Sequence, residues 1–86
     1  MKPVTFQGQA YIDYLEWREV SPDIFDKINT LIKDISRDYF KGLGKPEPLK
    51  HAHKGYWSRR ITQEHRLIYK IENDTILIAS LKGHYL

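Results

Sequence analysis

Two glycines and two prolines lie within the seven residues from Gly42 to Pro48, near the middle of the chain. Proline cannot donate the amide hydrogen that a helix or a sheet ladder requires, and glycine is unfavourable inside either element. The segment therefore predicts a loop that ends a helical half of the chain and precedes a strand-rich half. Glu47 lies between the two prolines, so we expect its carboxylate to project from a stiff loop.

Two helices are predicted before this loop. Ala10, Tyr14 and Trp17 recur at helical spacing between residues 9 and 19, a stripe typical of core packing. The sequence Ser21-Pro22-Asp23 then supplies an N-cap oxygen, a fixed φ and a negative charge for the helix dipole. The apolar positions that follow make the second helix amphipathic: Ile24, Ile28, Leu31 and Ile35. A brief strand, Val4-Thr5-Phe6, precedes both helices, and we expect it at a sheet edge.

Three runs of β-type residues follow the loop, at residues 56–61, 66–72 and 75–81, and predict an antiparallel meander. A two-residue turn at Asn73-Asp74 sets the register of the last hairpin. The predicted pairs are Glu72 with Thr75, Ile71 with Ile76, Tyr69 with Ile78 and Arg66 with Leu81.

Strict alternation along these strands gives the sheet two different faces. The face that the helices can cover carries Leu67, Tyr69, Ile71, Ile76 and Ile78. The other face mixes charge with apolar residues and carries Arg66, Ile68, Lys70, Leu77, Ala79 and Leu81. We therefore expect one α+β domain over residues 1–86, in the order β-α-α-β-β-β, with two N-terminal helices packed on a small antiparallel sheet and a half-open charged face for a ligand.

Composition excludes several kinds of chemistry. The 86 residues include no cysteine, which rules out disulfides, thiolate metal sites and a thiol nucleophile. The longest uninterrupted apolar run, 76–79, is far too short to cross a membrane, and we expect a cytoplasmic protein without a membrane segment. Neither dinucleotide-binding nor Walker-type glycine motifs occur, so we expect no cofactor.

Positive charge is concentrated in one part of the chain. The formal net charge is only +3, but residues 41–66 contain seven Lys or Arg and two Glu, a local excess of +5. The remainder of the chain is therefore at −2. A basic segment interleaved with aromatic residues favours a polyanionic partner such as RNA.

The same half of the chain carries a carboxylate, imidazoles, guanidinium groups and aromatic rings. These groups suffice to cleave RNA without a metal, because RNA supplies its own nucleophile in the 2′-hydroxyl. Less specific interpretations stay open at this point. His51 and His53 could be solvated loop residues, RNA contacts or metal ligands, although no third ligand follows at a suitable spacing. Glu47 could be a surface acid, and Arg66 a strand charge paired with Glu64.

Longer motifs carry a resemblance to a known family. They are the segments 44–51 (GKPEPLKH), 55–62 (GYWSRRIT) and 64–69 (EHRLIY), with Ile32-Lys33-Asp34 in the second helix and His84-Tyr85 near the end. The chain resembles the YoeB/Txe toxins of type II toxin–antitoxin systems, within the RelE superfamily. That resemblance covers essentially the whole chain and implies a RelE-like fold.

The resemblance also implies an activity and partners. Such a toxin is an mRNA interferase, a metal-independent endoribonuclease that inhibits translation by cutting mRNA in the A site of the 70S ribosome. A YefM/Axe-like antitoxin would neutralise it and would bind operator DNA with the toxin in complex. A homodimer is expected as well.

Carried over by position, the resemblance assigns the general base to Glu47, the phosphate-stabilising arginine to Arg66, the general acid to His84 and a catalytic tyrosine to Tyr85. Lys50, Arg59 and Arg60 are expected to bind RNA. Two features depart from the pattern. Strict alternation puts His84 on the face opposite Arg66 and Tyr85, and Leu86 extends the chain beyond the usual His-Tyr end.

A non-catalytic function of the same fold is the alternative. A RelE/ParE-like module could block a target such as gyrase or the ribosome by occupancy. It would need the basic segment but not the combination of Glu47, Arg66 and His84, and this combination favours the nuclease.

Overall fold

Two helices and a five-stranded sheet form the protein in the computed structural model, which describes residues 1–83. The predicted α+β architecture, with both helices before the meander, is confirmed. The elements are β1 (Val4–Phe6), α1 (Gln9–Val20), α2 (Pro22–Arg37), β2 (Glu47–Pro48), β3 (Trp57–Arg60), β4 (Arg66–Glu72) and β5 (Thr75–Gly83), with a short 3₁₀ turn at His51–His53.

The strand order is β1-β5-β4-β3-β2, and the sheet is mixed. Strands β2 to β5 are antiparallel neighbours, as the meander predicts, but β1 pairs in parallel with β5 through Val4↔Ile76 and Phe6↔Ile78. The expected all-antiparallel sheet therefore holds only for β2 to β5. β1 does lie at an edge, as expected, with β5 on one side and no strand of the described residues on the other.

The proline-flanked segment is not a pure loop. Glu47 pairs with Ser58, and Pro48 pairs with Trp57, so a two-residue strand forms at the outer edge of the sheet. The prediction that the prolines exclude any ladder is wrong at this point. Edge strands tolerate proline because one side of the strand needs no hydrogen-bond donor.

Both helices start and pack for identifiable reasons. The Ser21 side chain accepts a hydrogen bond from the Ile24 amide at 3.3 Å, which caps α2 at the predicted position. The buried side of α2 is formed by Ile28, Leu31, Ile32 and Ile35. α1 is anchored by Trp17, whose indole nitrogen donates to the Leu81 carbonyl oxygen at 3.0 Å. This bond fixes α1 to the far end of β5.

The predicted helix-facing side of the sheet is confirmed. Leu67, Tyr69, Ile76 and Ile78 are fully buried in the core with the helices, and Ile71 packs against its margin. We call the opposite side of the sheet, which the helices do not cover, the outer face. No helix in the described part of the chain is long and apolar enough to span a membrane.

The register of the last hairpin is correct near the turn and wrong at its far end. Glu72↔Thr75, Ile71↔Ile76 and Tyr69↔Ile78 pair as predicted, but Ile68 pairs with Ser80 and Arg66 pairs with Gly83 instead of Leu81. The register shifts on both sides of Ile68 insert two extra residues into β5. As a result, Leu81 turns into the core, where it is fully buried, and does not lie on the outer face.

Candidate active site

The sheet places three of the predicted site residues on its outer face. Glu47 pairs with Ser58 and Ser58 pairs with Ile68, while Arg60 pairs with Arg66 in the next row of the same side. Directly paired residues share a face, and so do alternate residues along one strand. Glu47, Arg60 and Arg66 therefore lie together opposite the helices. Glu47 and Arg66 are two strands apart across the sheet and two residues apart along it, so strand geometry puts their backbones about 12 Å apart.

Glu47 occupies the edge of this surface. It belongs to β2, is exposed to solvent, and is held at its backbone by the pairing with Ser58. Prolines on both sides restrict the φ angles of the segment, so the carboxylate is presented from a backbone with few alternative conformations. A general base requires such a fixed, accessible position.

Arg66 begins β4 and is half buried. One terminal nitrogen, Nη1, donates to the carbonyl oxygens of Thr62, Gln63 and His65 at 3.0 to 3.2 Å. Within residues 1–83, Nε and Nη2 have no hydrogen-bond partner, and no ion pair joins Arg66 to Glu64. The turn therefore holds one arm of the guanidinium and leaves donors for an anion.

The turn before Arg66 is itself ordered by side chains. Thr62 Oγ1 accepts from the amides of Glu64 and His65 at 3.2 and 3.0 Å and lies 2.9 Å from His65 Nδ1. The His65 ring packs edge-on against Trp17 with centroids 5.0 Å apart. No role is predicted for His65 from the sequence, but in the structure His65 connects the turn before Arg66 to α1.

The comparisons with known proteins decide the family. A family model described as a YoeB-like toxin of a bacterial type II toxin–antitoxin system matches residues 6–85. The chain belongs to this family. Toxin YoeB of Escherichia coli (strain K12) is 54% identical over 77 residues, which are 90% of this chain and 92% of the relative.

Solved structures agree with the YoeB-like family fold. The YoeB/ParE toxin from Agrobacterium tumefaciens superposes with a TM-score of 0.94 at 39% identity, over 96% of this chain and 99% of that one. A heterotetrameric YoeB–YefM complex from Staphylococcus aureus gives 0.91 at 44% identity, with 99% of each chain covered. A YoeB dimer from the same organism gives 0.91 at 45%, with 98% of each covered.

Arg59 does not fit the expected RNA contact of this YoeB-like toxin. Its side chain is fully buried on the helix side of β3. Its five hydrogen bonds go to Asp34 Oδ2 at 2.6 Å, to the Tyr69 hydroxyl at 3.3 Å, and to the carbonyl oxygens of Leu43, Asp38 and Lys41 at 2.8 to 3.1 Å. We reassign Arg59 as a structural residue, because a buried guanidinium with these partners cannot reach a phosphate.

The sequence did contain a signal for this burial. In a strand, Arg59 shares its face with Trp57 and Ile61, which are apolar, whereas Arg60 shares its face with Ser58. Two groups that contact Arg59 have shifted pKa values. The hydrogen bond from the Leu43 amide, together with Arg59, holds the pKa of the Asp34 carboxyl below its ordinary value. Burial raises the pKa of the Tyr69 hydroxyl, against the opposing effect of Arg59.

Lys50 and Arg60 are both exposed and remain available to RNA. The Arg60 amide donates to the Gly44 carbonyl oxygen at 2.7 Å, which ties the loop before Glu47 to β3. His51 and His53 are exposed in the 3₁₀ turn. Among residues 1–83, no cluster of three or more His, Cys, Asp or Glu could hold a metal ion.

His84 and Tyr85 lie outside the described residues, as does Leu86. The last residue of β5, Gly83, pairs with Arg66. The two shifts in β5 together move the register by two residues, so they leave the alternation from which His84 was expected on the opposite face unchanged. The expectation of opposite faces for His84 and Tyr85 therefore stays a prediction.

Proposed function

We propose that this toxin is an mRNA interferase, a metal-independent endoribonuclease domain that inhibits translation by cleaving mRNA in the ribosomal A site. The observation that carries the proposal is the common position of Glu47, Arg60 and Arg66 on the outer face of the sheet. Membership of the YoeB-like toxins supports it. A module that acts only by occupancy has no need for an accessible carboxylate on the same sheet face as a partly unpaired guanidinium.

The first chemical step belongs to Glu47. Its carboxylate removes the proton of the 2′-hydroxyl, and the 2′-oxygen attacks the adjacent phosphorus. Arg66 stabilises the negative charge that develops on the phosphoryl oxygens, using the donors that the Thr62–His65 turn leaves unused. Exposed Arg60 and Lys50 hold neighbouring phosphates.

The second step transfers a proton to the leaving 5′-oxygen. We assign it to His84, with Tyr85 as the further catalytic residue, by their match to the family pattern. The pairing of Gly83 with Arg66 supports this assignment, because the chain continues from that point. As a general acid, His84 has to enter this step as the charged imidazolium. The product is a 2′,3′-cyclic phosphate, which water opens to a 3′-phosphate.

The proposal extends to partners. By analogy with the YoeB–YefM complex and the YoeB dimer of Staphylococcus aureus, we propose that a YefM/Axe-like antitoxin neutralises this chain and that it also forms a homodimer. Operator DNA would be bound only through the antitoxin complex. The working location is the cytoplasm, where translating ribosomes are found.

Primer extension on programmed 70S ribosomes tests the proposal. We expect Glu47→Gln to reduce cleavage by on the order of 10²-fold or more, because the amide cannot accept the proton. Glu64→Gln is the matched control, since Glu64 is an exposed acid in the neighbouring turn, and it should cleave normally. Full cleavage by Glu47→Gln would contradict the base assignment.

Two further results separate the alternatives. Toxicity that persists in Glu47→Gln without any cleavage would support a binding module that acts by occupancy. Cleavage of naked RNA at the same sites would contradict ribosome dependence.

A further inference from the structure

A second surface beside the site has the properties of an RNA contact. Phe40 and Trp57 stack with ring centroids 4.5 Å apart and an interplanar angle of 34°, and 44% of Phe40 is exposed to solvent. We call Phe40, Trp57 and the exposed Lys41 and Lys45 the aromatic platform. We propose that it binds single-stranded RNA, with a base stacked on Phe40 and a phosphate held by the lysines. This proposal rests on the proposed RNA-cleaving function and deepens it.

Strand pairing puts the platform next to Glu47, the proposed general base. Trp57 pairs with Pro48, the residue that follows Glu47. Glu47 projects to the outer face, whereas Trp57 shares the helix-side face with Arg59. Glu47 is in β2, and Trp57 is in the neighbouring strand β3. A strand of RNA that passes Glu47 therefore meets the platform where it rounds the sheet edge.

The segment that carries Phe40 is held rigidly without any ligand. Arg59 binds the carbonyl oxygens of Asp38, Lys41 and Leu43 from inside the protein. The Leu43 amide donates to Asp34 at 2.8 Å, and a side chain at Gly42 would overlap the same carboxylate. The Phe40 amide donates to the Asp38 side chain at 3.0 Å. A platform fixed in advance loses little conformational entropy when a base stacks on it.

The charge around the platform suits a phosphate chain. The stretch from Tyr39 to Pro46 contains no Asp or Glu, and of the two acids that flank it, Asp38 accepts from the Phe40 amide and Glu47 projects to the outer face. Lys41 and Lys45 take part in no ion pair with the rest of residues 1–83. Lys41 follows Phe40 in the chain and Lys45 lies in the same loop. Aromatic rings combined with positive charge are what proteins use to bind single strands without base selectivity.

Binding can be measured separately from cleavage. In a Glu47→Gln background, fluorescence anisotropy would follow a labelled RNA of about ten nucleotides, a length typical of such sites. Phe40→Leu removes the aromatic plane but keeps an apolar side chain on Trp57, and we expect it to weaken binding about 5- to 150-fold. Phe40→Tyr should restore the affinity. Equal unfolding midpoints for both variants establish that the loss is not one of folding.

The lysines are tested through salt dependence. Lys41→Gln combined with Lys45→Gln should weaken binding and flatten the slope of log affinity against log salt. Lys27→Gln combined with Lys33→Gln removes the same charge from exposed positions of α2, and we expect it to leave the slope nearly unchanged. Equal effects of the two pairs would show that overall charge, not the platform, determines binding.

Two sources of RNA are possible on a ribosome, and the assay separates them. Phe40→Leu should raise KM on programmed ribosomes with little change in kcat. If it weakens binding equally to ribosomes with and without mRNA in the A site, the bound strand is ribosomal RNA. If the effect requires the mRNA, the bound strand is the substrate itself.

Clear results would overturn the platform. One is a folded Phe40→Leu protein that binds the oligonucleotide and the ribosome as tightly as its parent. Another is a loss of affinity confined to an acidic peptide of the antitoxin, which would make this surface a protein-docking site. The test is independent of catalysis: a wild-type chain that binds RNA through Phe40 but cleaves nothing would refute the proposed function and keep the platform.

Discussion

At the residue scale, Arg59 holds the loop before Glu47 from inside the protein. Arg59→Met keeps much of the volume but removes the cation that pairs with Asp34 and the donor of three carbonyl oxygens. Breaking a buried ion pair in this way costs about 3–5 kcal/mol of unfolding free energy. Urea denaturation measures this cost. Arg60→Met, which changes the exposed neighbour, should cost under about 0.5 kcal/mol, and similar losses for both variants would contradict the assignment.

Asp34, the ion-pair partner of Arg59, makes the free energy of unfolding depend on pH. The Leu43 amide and Arg59 lower the pKa of Asp34 in the folded protein. The ionised carboxylate therefore stabilises the fold at pH values above the ordinary pKa of a carboxyl group. This contribution is lost as the pH falls through the lowered pKa. We expect the unfolding free energy to decline below about pH 4. In Asp34→Asn it should start lower at neutral pH and decline less, whereas exposed Asp26→Asn should follow the wild type. Parallel curves for Asp34→Asn and wild type would refute this linkage.

At the scale of elements, the β4–β5 turn combines local strain with useful contacts. Asn73 and Asp74 have φ of 51° and 61°, the left-handed values of a tight hairpin turn, in which glycine is favoured at the second position. Asp74 occupies that position, and its carboxylate accepts from the Tyr39 hydroxyl at 2.6 Å and Lys2 Nζ at 3.3 Å. These bonds connect the turn to the end of α2 and to the N-terminus.

Two substitutions separate strain from contact at this turn. Asp74→Ala loses both contacts and keeps the strained backbone, whereas Asp74→Gly loses the contacts but relieves the strain. In thermal unfolding we therefore expect the order wild type, then Asp74→Gly, then Asp74→Ala. If Asp74→Gly melts above the wild type, the carboxylate contacts contribute less than the strain they accompany.

The helices and strands also show which parts of the fold the sequence periodicity could predict. Helical spacing and the Ser21 cap identified α1 and α2, and the turn fixed the pairs nearest to it, because these signals are local. The two extra residues of β5 have no local signature, so the predicted Arg66–Leu81 pair and the outward position of Leu81 are wrong. The direction of β1 is equally non-local, since it depends on how the helices return the chain to β5.

The candidate site residues were predicted mainly from residue type and from the family pattern, and less from the strand geometry. Glu47, Arg60 and Arg66 lie on one face, and the alternation of β3 and β4 was sufficient to anticipate this for the two arginines. The concentration of basic residues along the chain could not distinguish buried Arg59 from exposed Arg60, because a count of charges contains no information on burial. The aromatic platform was also missed, since Phe40 and Trp57 are 17 positions apart in sequence and meet only through the fold.

At the scale of the whole molecule, the basic surface and an exposed apolar surface come from different parts of the chain. The basic segment 41–66 supplies the loop, β3 and the start of β4, and so surrounds the outer-face site. Away from it, α1 exposes Tyr11 and Ile12, which are 52% and 49% accessible. A chain of this size buries a limited core, and covering these side chains would add apolar burial that it lacks alone.

This surface predicts a stability that depends on protein concentration. If a second copy covers α1, the unfolding midpoint should rise with concentration, because association binds only the folded state. Calorimetry over about a hundredfold range of concentration would measure the rise. Ile12→Ser should abolish it, since a polar group at that position weakens the contact, whereas Leu43→Ser, at an equally exposed apolar residue of the loop, should preserve it. A midpoint that does not move with concentration in the wild type would show that α1 is not covered by another copy.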